Sequence, residues 1–291
     1  MSAPDKTQFR AALVQLRQGR DISPNLDRAE ALIRQAAKGG ADYVQTPENT
    51  ALMELEPERV LALVQSESDS EPLKRLRTLA AELGLWLHVG SLGIKLGEGK
   101  VANRSYLIDP NGEITAHYDK LHMFDVDLAG GESYRESQYY GPGSKAVIAP
   151  LPWGRLGMTI CYDLRFPGLY RALATSGANL IAIPAAFTKQ TGQAHWHVLV
   201  RARAIETGAF VFAATQGGLH DNGRQTFGHS MIVSPWGEIL AEAGEEPCVV
   251  FADIDMGASE EARARIPSLK HGRDFDLEVA ERAAAARREA S

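Results

Sequence analysis

Two rhythms of apolar and polar residues alternate along this chain. Short runs of period two or of unbroken apolar character are separated by longer stretches with apolar residues three or four apart. "FRAALVQL" (9–16) reads as a strand, and "PNLDRAEALIRQAAKGG" (24–40) as a helix that ends at Gly39–Gly40. "ADYVQT" is a short strand stopped by Pro47, and "EPLKRLRTLAAELG" puts Leu73, Leu76, Leu79 and Leu83 on one helical face before Gly84. "LWLHVGSLGI" and "RSYLID" are strands, the latter joined to "EITAHYDK" by the turn signal "DPNG". In the second half "KAVIAPL", "GRLGMTICY", "NLIAIPAAF", "AFVFAAT" and "CVVFADI" read as strands. "PGLYRALATSGA", "AHWHVLVRARAIETG" and "SEEARARI" read as helices, and "PWGE" as a hairpin turn.

Strands apolar on both faces and alternating with helices imply sheets covered by helices. The hairpin signals forbid an all-parallel arrangement, so the pattern predicts a mixed-sheet, layered α/β sandwich. No Pro/Gly/Ser-rich linker divides it. The expected organisation is a single domain over 1–275 and a C-terminal tail over 276–291, helical or frayed around "ERAAAARREA". Residues 121–145 interrupt the rhythm with a long Gly-rich connection, and such connections inside compact domains usually serve function.

Composition changes this picture little. With 291 residues, 44% apolar, 23% charged and a formal charge of −6, the chain is ordinary for a globular protein and lacks a nucleic-acid footprint. No apolar run is long enough to span a bilayer. "MSAPDKTQFR" has no signal-peptide pattern, which places the protein in the cytoplasm as an expectation. "GEGKV" lacks the spacing of a phosphate-binding loop. Two cysteines, Cys161 and Cys248, make no disulfide scaffold, and Cys248 in "EPCVVFADI" reads as a core residue. The close pair His195 and His197 opens a helical pattern, where residues two apart point in different directions, so no metal site is expected there.

Candidate chemistry gathers where strands run out: Glu48 in "YVQTPEN", Lys120 in "AHYDKLH" and Cys161 in "MTICYD". Alone, each has an ordinary structural explanation. Together they supply a thiol nucleophile, a carboxylate base and a cationic oxyanion holder, the parts needed for amide hydrolysis.

The segments "TPEN", "YDKLHMFDV" and "ICYDLRFPG", with "AFTKQTGQAHWHVLVRARAIETGAF" and "FGHSMIVSPWGEIL", resemble the nitrilase superfamily of carbon–nitrogen hydrolases over about residues 9–275. The resemblance implies a four-layer α-β-β-α sandwich and a Glu48–Lys120–Cys161 triad that works through a thioester without a metal or organic cofactor. Tyr162–Asp163 and "LRFP" after the cysteine look like the Nit branch, whose activities are deaminated-glutathione amidase and ω-amidase. Nitrilase and N-carbamoyl amino-acid hydrolase activities are the neighbouring alternatives, and a catalytically retired binding protein is the alternative of another class.

The same resemblance offers Glu136 as a second glutamate beside the triad, with Glu132 as its rival, and the backbone N–H of Tyr162 as an oxyanion donor. Glu136 beside Glu48 is expected to raise the pKa of one carboxylate. Arg165 is the candidate clamp for a substrate carboxylate, with Phe187 and Thr188 lining the pocket, while Arg203 and Glu206 read as a structural ion pair. Gly168 and His197 depart from the usual glutamates of the branch. The implied partners are a small-molecule amide and a second copy of the chain in a homodimer, with the helices around 169–176 and 195–207 as contact surfaces, and neither nucleic acid nor membrane.

Overall fold

A computed structural model describes residues 7–128 and 131–279. The first half runs through β1 (Gln8–Gln15), α1 (Ile22–Lys38), β2 (Tyr43–Gln45), α2 (Pro57–Leu63), α3 (Glu71–Leu83), β3 (Trp86–Lys95), β4 (Val101–Ile108) and β5 (Ile114–Asp119). The connection that follows carries β6 (Asp125–Asp127), β7 (Ser133–Arg135) and β8 (Tyr140–Gly141). The second half holds β9 (Val147–Leu151), β10 (Gly154–Met158), α4 (Pro167–Thr175), β11 (Leu180–Ala182), α5 (Lys189–Thr207) and β12 (Phe210–Ala213). It closes with β13 (Gly217–Leu219), β14 (Gln225–Phe227), β15 (Met231–Val233), β16 (Ile239–Glu242), β17 (Cys248–Asp255) and α6 (Gly257–Arg265).

These strands form two large mixed sheets. One has the order β17-β1-β2-β3-β4-β5 with β8 also on β4, and the other the order β16-β15-β12-β11-β10-β9. Strand β1 shows why the layers stack. Phe9, Ala11 and Leu13 enter the core shared with the second sheet, while Ala12 and Val14 enter the core under α1 and α3. Period two thus serves two cores at once. Beyond the second sheet, Tyr170 of α4 and Trp196, Val200 and Ala204 of α5 complete the fourth layer. The four-layer α-β-β-α sandwich with mixed sheets is the observed architecture.

Element boundaries depart from the sequence reading where a local signal was outweighed. The strand expected over 179–187 is three residues long, because Pro184 cannot extend the ladder and the chain turns off at the sheet end. Helix α5 starts at Lys189, five residues before the apolar pattern, since the Thr188 hydroxyl accepts from Thr191 N–H and caps it. The 121–145 connection contains the β6–β7 hairpin, pinned by Arg135 on Asp127 at 2.7 and 2.9 Å. Cys248 is half-buried on β17 rather than in the core. Of the expected tail, 276–279 are exposed and without regular structure, and the rest lies outside the described residues.

Candidate active site

Strand ends from both sheets converge on one cavity of about 250 Å³ whose walls include Glu48, Lys120 and Cys161. Glu48 follows β2. Pro47 ends the strand, and the Thr50 hydroxyl caps the turn by donating to Pro47 O at 2.7 Å. Gly90 is required behind it, because a Cβ there would lie 2.2 Å from the Thr46 carbonyl oxygen. The Gln216 amide donates to the carbonyls of Glu48 and Asn49 at 3.0 and 3.2 Å, tying this turn to the other sheet. Lys120 follows β5, and its N–H donates to Asn103 O on β4.

Cys161 sits at a sharp bend after β10. Its φ is 48°, a left-handed conformation that a non-glycine residue adopts only when its surroundings enforce it. The Cys161 N–H donates to Pro184 O at 2.9 Å. Fully buried Asp163 fixes the bend from the other side. It accepts from Ile160 N–H at 2.8 Å, Tyr118 O–H at 2.7 Å and His122 N–H at 3.2 Å, with the His122 ring at 2.7 Å. Arg203 braces the same turn by two hydrogen bonds to Leu164 O, and pairs with Glu206 at 2.7 Å. The backbone N–H of Tyr162 belongs to the first turn of a 3-10 helix over Cys161–Arg165, where no carbonyl lies behind it to accept.

The ammonium of Lys120, 2% exposed, lies between two carboxylates: Glu48 Oε1 at 2.9 Å, and Glu136 at 2.8 and 3.0 Å. Asn103 donates to both glutamates, Ala186 N–H donates to Glu48 Oε2 at 3.0 Å, and Phe124 N–H donates to Glu136 at 2.7 Å. Burial alone would raise the Glu48 pKa, but the charge and hydrogen bond of Lys120 outweigh it and hold Glu48 below the ordinary carboxylate value. The expected upward shift of a carboxylate does not occur at Glu48, because the ammonium sits between the two glutamates. Lys120 is raised well above its ordinary value; burial opposes this, and the charges of Glu136 and Glu48 prevail. Burial, with the Glu48 charge, pushes the Cys161 thiol strongly up. The resting arrangement is a neutral thiol beside an ionised carboxylate and an ammonium, which suits proton transfer during attack on an electrophilic carbonyl.

Glu136, Tyr162, Phe187 and Thr188 line the same cavity. Glu132 is exposed, its carboxylate accepting from Tyr134 O–H at 3.3 Å. Arg165 is not among the lining residues. Its guanidinium lies over the Phe187 ring at 5.2 Å and meets His195 at 3.3 Å. Asn103 and Arg224, which sequence reasoning passed over, also line the cavity. A polar residue inside the strand pattern "VANRSYLI" was the available signal for Asn103; nothing local marks Arg224.

His195 and His197 point apart, as helical spacing predicts. His197 instead joins His229 at Glu242 Oε1, at 2.7 and 2.8 Å. Burial would raise the Glu242 pKa, but these two hydrogen bonds hold it down. With ligand atoms within 4.8 Å of one another, this is the one group among the described residues that could hold a divalent cation. None of the three lines the cavity at Cys161.

Residues 10–264 match the family model described as carbon-nitrogen hydrolase. A deaminated glutathione amidase of Yersinia enterocolitica is 41% identical over 90% of this chain and 92% of its own length. The omega-amidase NIT2 of Bos taurus is 35% identical over 93% of this chain and 97% of its own. Among solved structures, the Caenorhabditis elegans NitFhit protein superposes with a TM-score of 0.87 at 35% identity, covering 92% of this chain and 66% of the larger protein. The chain belongs to the carbon–nitrogen hydrolase family.

Proposed function

We propose that this enzyme hydrolyses the amide bond of a small carboxylate-bearing metabolite through a thioester on Cys161, with deaminated glutathione as its substrate. Glu48 takes the Cys161 proton as sulfur attacks the amide carbonyl carbon. Lys120 and the Tyr162 N–H stabilise the developing oxyanion, an effect worth about 3–4 kcal/mol per donor in comparable sites. Glu48 then protonates the departing nitrogen, and the C–N bond breaks. Water enters, gives a proton to Glu48, and cleaves the thioester to acid and free thiol. Glu136 positions Lys120, and Phe187 and Thr188 border the acyl chain. No cofactor is needed in this scheme. Arg165, beneath Phe187, supports that wall and is the sequence-derived candidate for the substrate's carboxylate.

One observation carries the reading: a buried thiol, an ionised glutamate and a lysine ammonium meet in one cavity at the ends of strands from both sheets. The similarity to the bovine omega-amidase favours a second reading, hydrolysis of 2-oxoglutaramate, which shares the acyl half. The unpaired Cys161 and Cys248 accord with action in the reducing cytoplasm, over a single domain spanning 1–275. No helix among the described residues is long and apolar enough to cross a membrane. Exposed Val198, Ile205 and Trp236 offer apolar surface for a homodimer.

Release of 2-oxoglutarate from deaminated glutathione and from 2-oxoglutaramate tests the proposal, with Cys161→Ala as control. Faster turnover of deaminated glutathione, lost in the variant, supports the first reading, and the reverse preference supports the second. Turnover of neither removes both.

A further inference from the structure

A second cluster of ligand-bearing side chains lies apart from the catalytic cavity, where α5 meets the edge of the second sheet. His197 comes from α5, His229 from the bend between β14 and β15, and Glu242 from the end of the edge strand β16. His197 Nε2 and His229 Nδ1 both meet Glu242 Oε1, at 2.7 and 2.8 Å, and the three ligand atoms lie within 4.8 Å of one another. The side chains of His197, His229 and Glu242 are 37%, 27% and 30% exposed, so an ion reaches them from solvent without any opening of the core.

The cluster is held in position from behind. Among the described residues only Asn49, Cys161 and His229 combine a side chain with a left-handed φ; Cys161 is the nucleophile and Asn49 adjoins Glu48. His229, at φ 57°, is locked there: its N–H donates to Gly244 O and its carbonyl accepts from Trp196 Nε1, both at 2.9 Å. A non-glycine residue keeps such a conformation only where its surroundings enforce it, and here it brings the imidazole to Glu242. The Phe227 ring stacks on His229 at 4.3 Å and meets His197 edge-on at 5.9 Å, walling one side of the group. Gly192 lets α5 come this near, since a Cβ there would lie 2.3 Å from the Phe227 Cβ.

Two imidazole nitrogens and one carboxylate oxygen, brought from three separate elements, are the donor set of a three-ligand zinc centre. Nitrogen and oxygen donors together suit zinc, whereas magnesium and calcium take oxygen sets. Zinc–nitrogen bonds of about 2.0–2.1 Å in a tetrahedron put ligand atoms about 3.3–3.4 Å apart. The contacts of 2.7 and 2.8 Å therefore open by roughly 0.6 Å as the ion enters, a movement within reach of partly exposed side chains. Each ring then turns a lone pair to the ion and carries its proton on the other nitrogen. We infer that His197, His229 and Glu242 form a zinc site, with water as the fourth ligand, that clamps α5 to the edge of the second sheet. The inference does not depend on the amidase reading, and none of the three ligands lines the cavity at Cys161.

The test is titration calorimetry of zinc into the full chain, stripped with a chelator and carrying Cys161→Ala so that the catalytic thiol does not compete. One ion per chain is expected. Adding His197→Gln or His229→Gln should weaken binding by at least about 100-fold, while His195→Gln, whose ring points away, should leave it unchanged. Glu242→Gln keeps an acceptor for both rings and should also weaken zinc, which separates lost ligation from lost folding. Zinc at about 100 times its Kd should raise Tm by on the order of 5 °C, and the rise should vanish in His197→Gln. X-ray absorption should find nitrogen and oxygen neighbours at about 2.0–2.1 Å and no sulfur. Zinc that does not bind at up to about 0.1 mM overturns the inference, as does binding that survives both histidine substitutions or shows a sulfur neighbour.

Discussion

The charged cluster around Lys120 and the wall around Arg224 face the same cavity and are built in opposite ways. In the first, one ammonium meets two carboxylates, and Asn103, Ala186 and Phe124 add donors to those carboxylates. Its charges are compensated before any substrate arrives, as a preorganised catalytic group requires. In the second, a guanidinium meets no carboxylate among the described residues and leaves one donor unused. The difference is one of compensation: the reacting groups are finished in the free enzyme, and the Arg224 guanidinium is left with an unused donor.

Removing Lys120 should have the largest effect on that contrast. Lys120→Met leaves Glu48 and Glu136 buried against each other without a cation, and breaking such a pair typically costs about 3–5 kcal/mol. Turnover should vanish and the denaturant midpoint fall steeply, whereas Arg224→Gln, which strips no carboxylate of its partner, should move the midpoint little. Equal destabilisation of the two variants in chemical denaturation would erase the distinction.

Asp163→Ala is the next in size. It strands the Ile160 and His122 N–H groups and the Tyr118 hydroxyl beneath the Cys161 bend, at a cost of at least about 2 kcal/mol. Since it loosens the nucleophile and touches neither the Lys120 cluster nor Arg224, kcat should fall more than KM rises. Steady-state kinetics on glutaramate and a thermal melt together decide this.

The smallest effect expected is a flat one. Glu48 is held below its ordinary pKa, so its base form persists as pH falls through 4.5 and is lost only below that. The Cys161 thiol and the Lys120 ammonium are both held above their ordinary values, so neither loses its proton near neutrality. The pH profile of kcat/KM should therefore be level from about 5 to 9. A rise centred near the free-thiol value of about 8.5 would mean that a preformed thiolate attacks.

The contrast also marks what could be read before folding. The layered sheets were legible because β1, β3 and β12 are apolar in ways only buried strands require, and the caps at Gly84 and Gly208 adopt the left-handed φ of 65° and 58° that favours glycine. Glu48, Lys120 and Cys161 became candidates because each follows a recognisable strand end, and the resemblance carried by "TPEN", "YDKLHMFDV" and "ICYDLRFPG" joined them as a triad. Glu136 stood in an irregular connection beside its rival Glu132, and only the β6–β7 hairpin sets which of them meets Lys120. Arg224 was invisible, because its hairpin approaches the cavity through contacts with Phe187 and Thr188, more than thirty residues earlier. The Arg165 expectation used proximity in sequence to Cys161, and the 3-10 turn directs that side chain toward His195 instead.

The central claim is an acyl group carried on Cys161, and hydroxylamine reports on it directly. During turnover of glutaramate, hydroxylamine should intercept the thioester and yield glutaryl hydroxamate in proportion to its concentration, and Cys161→Ala should yield neither hydroxamate nor acid. Continued hydrolysis by Cys161→Ala, or wild-type turnover that never produces hydroxamate, would contradict the account.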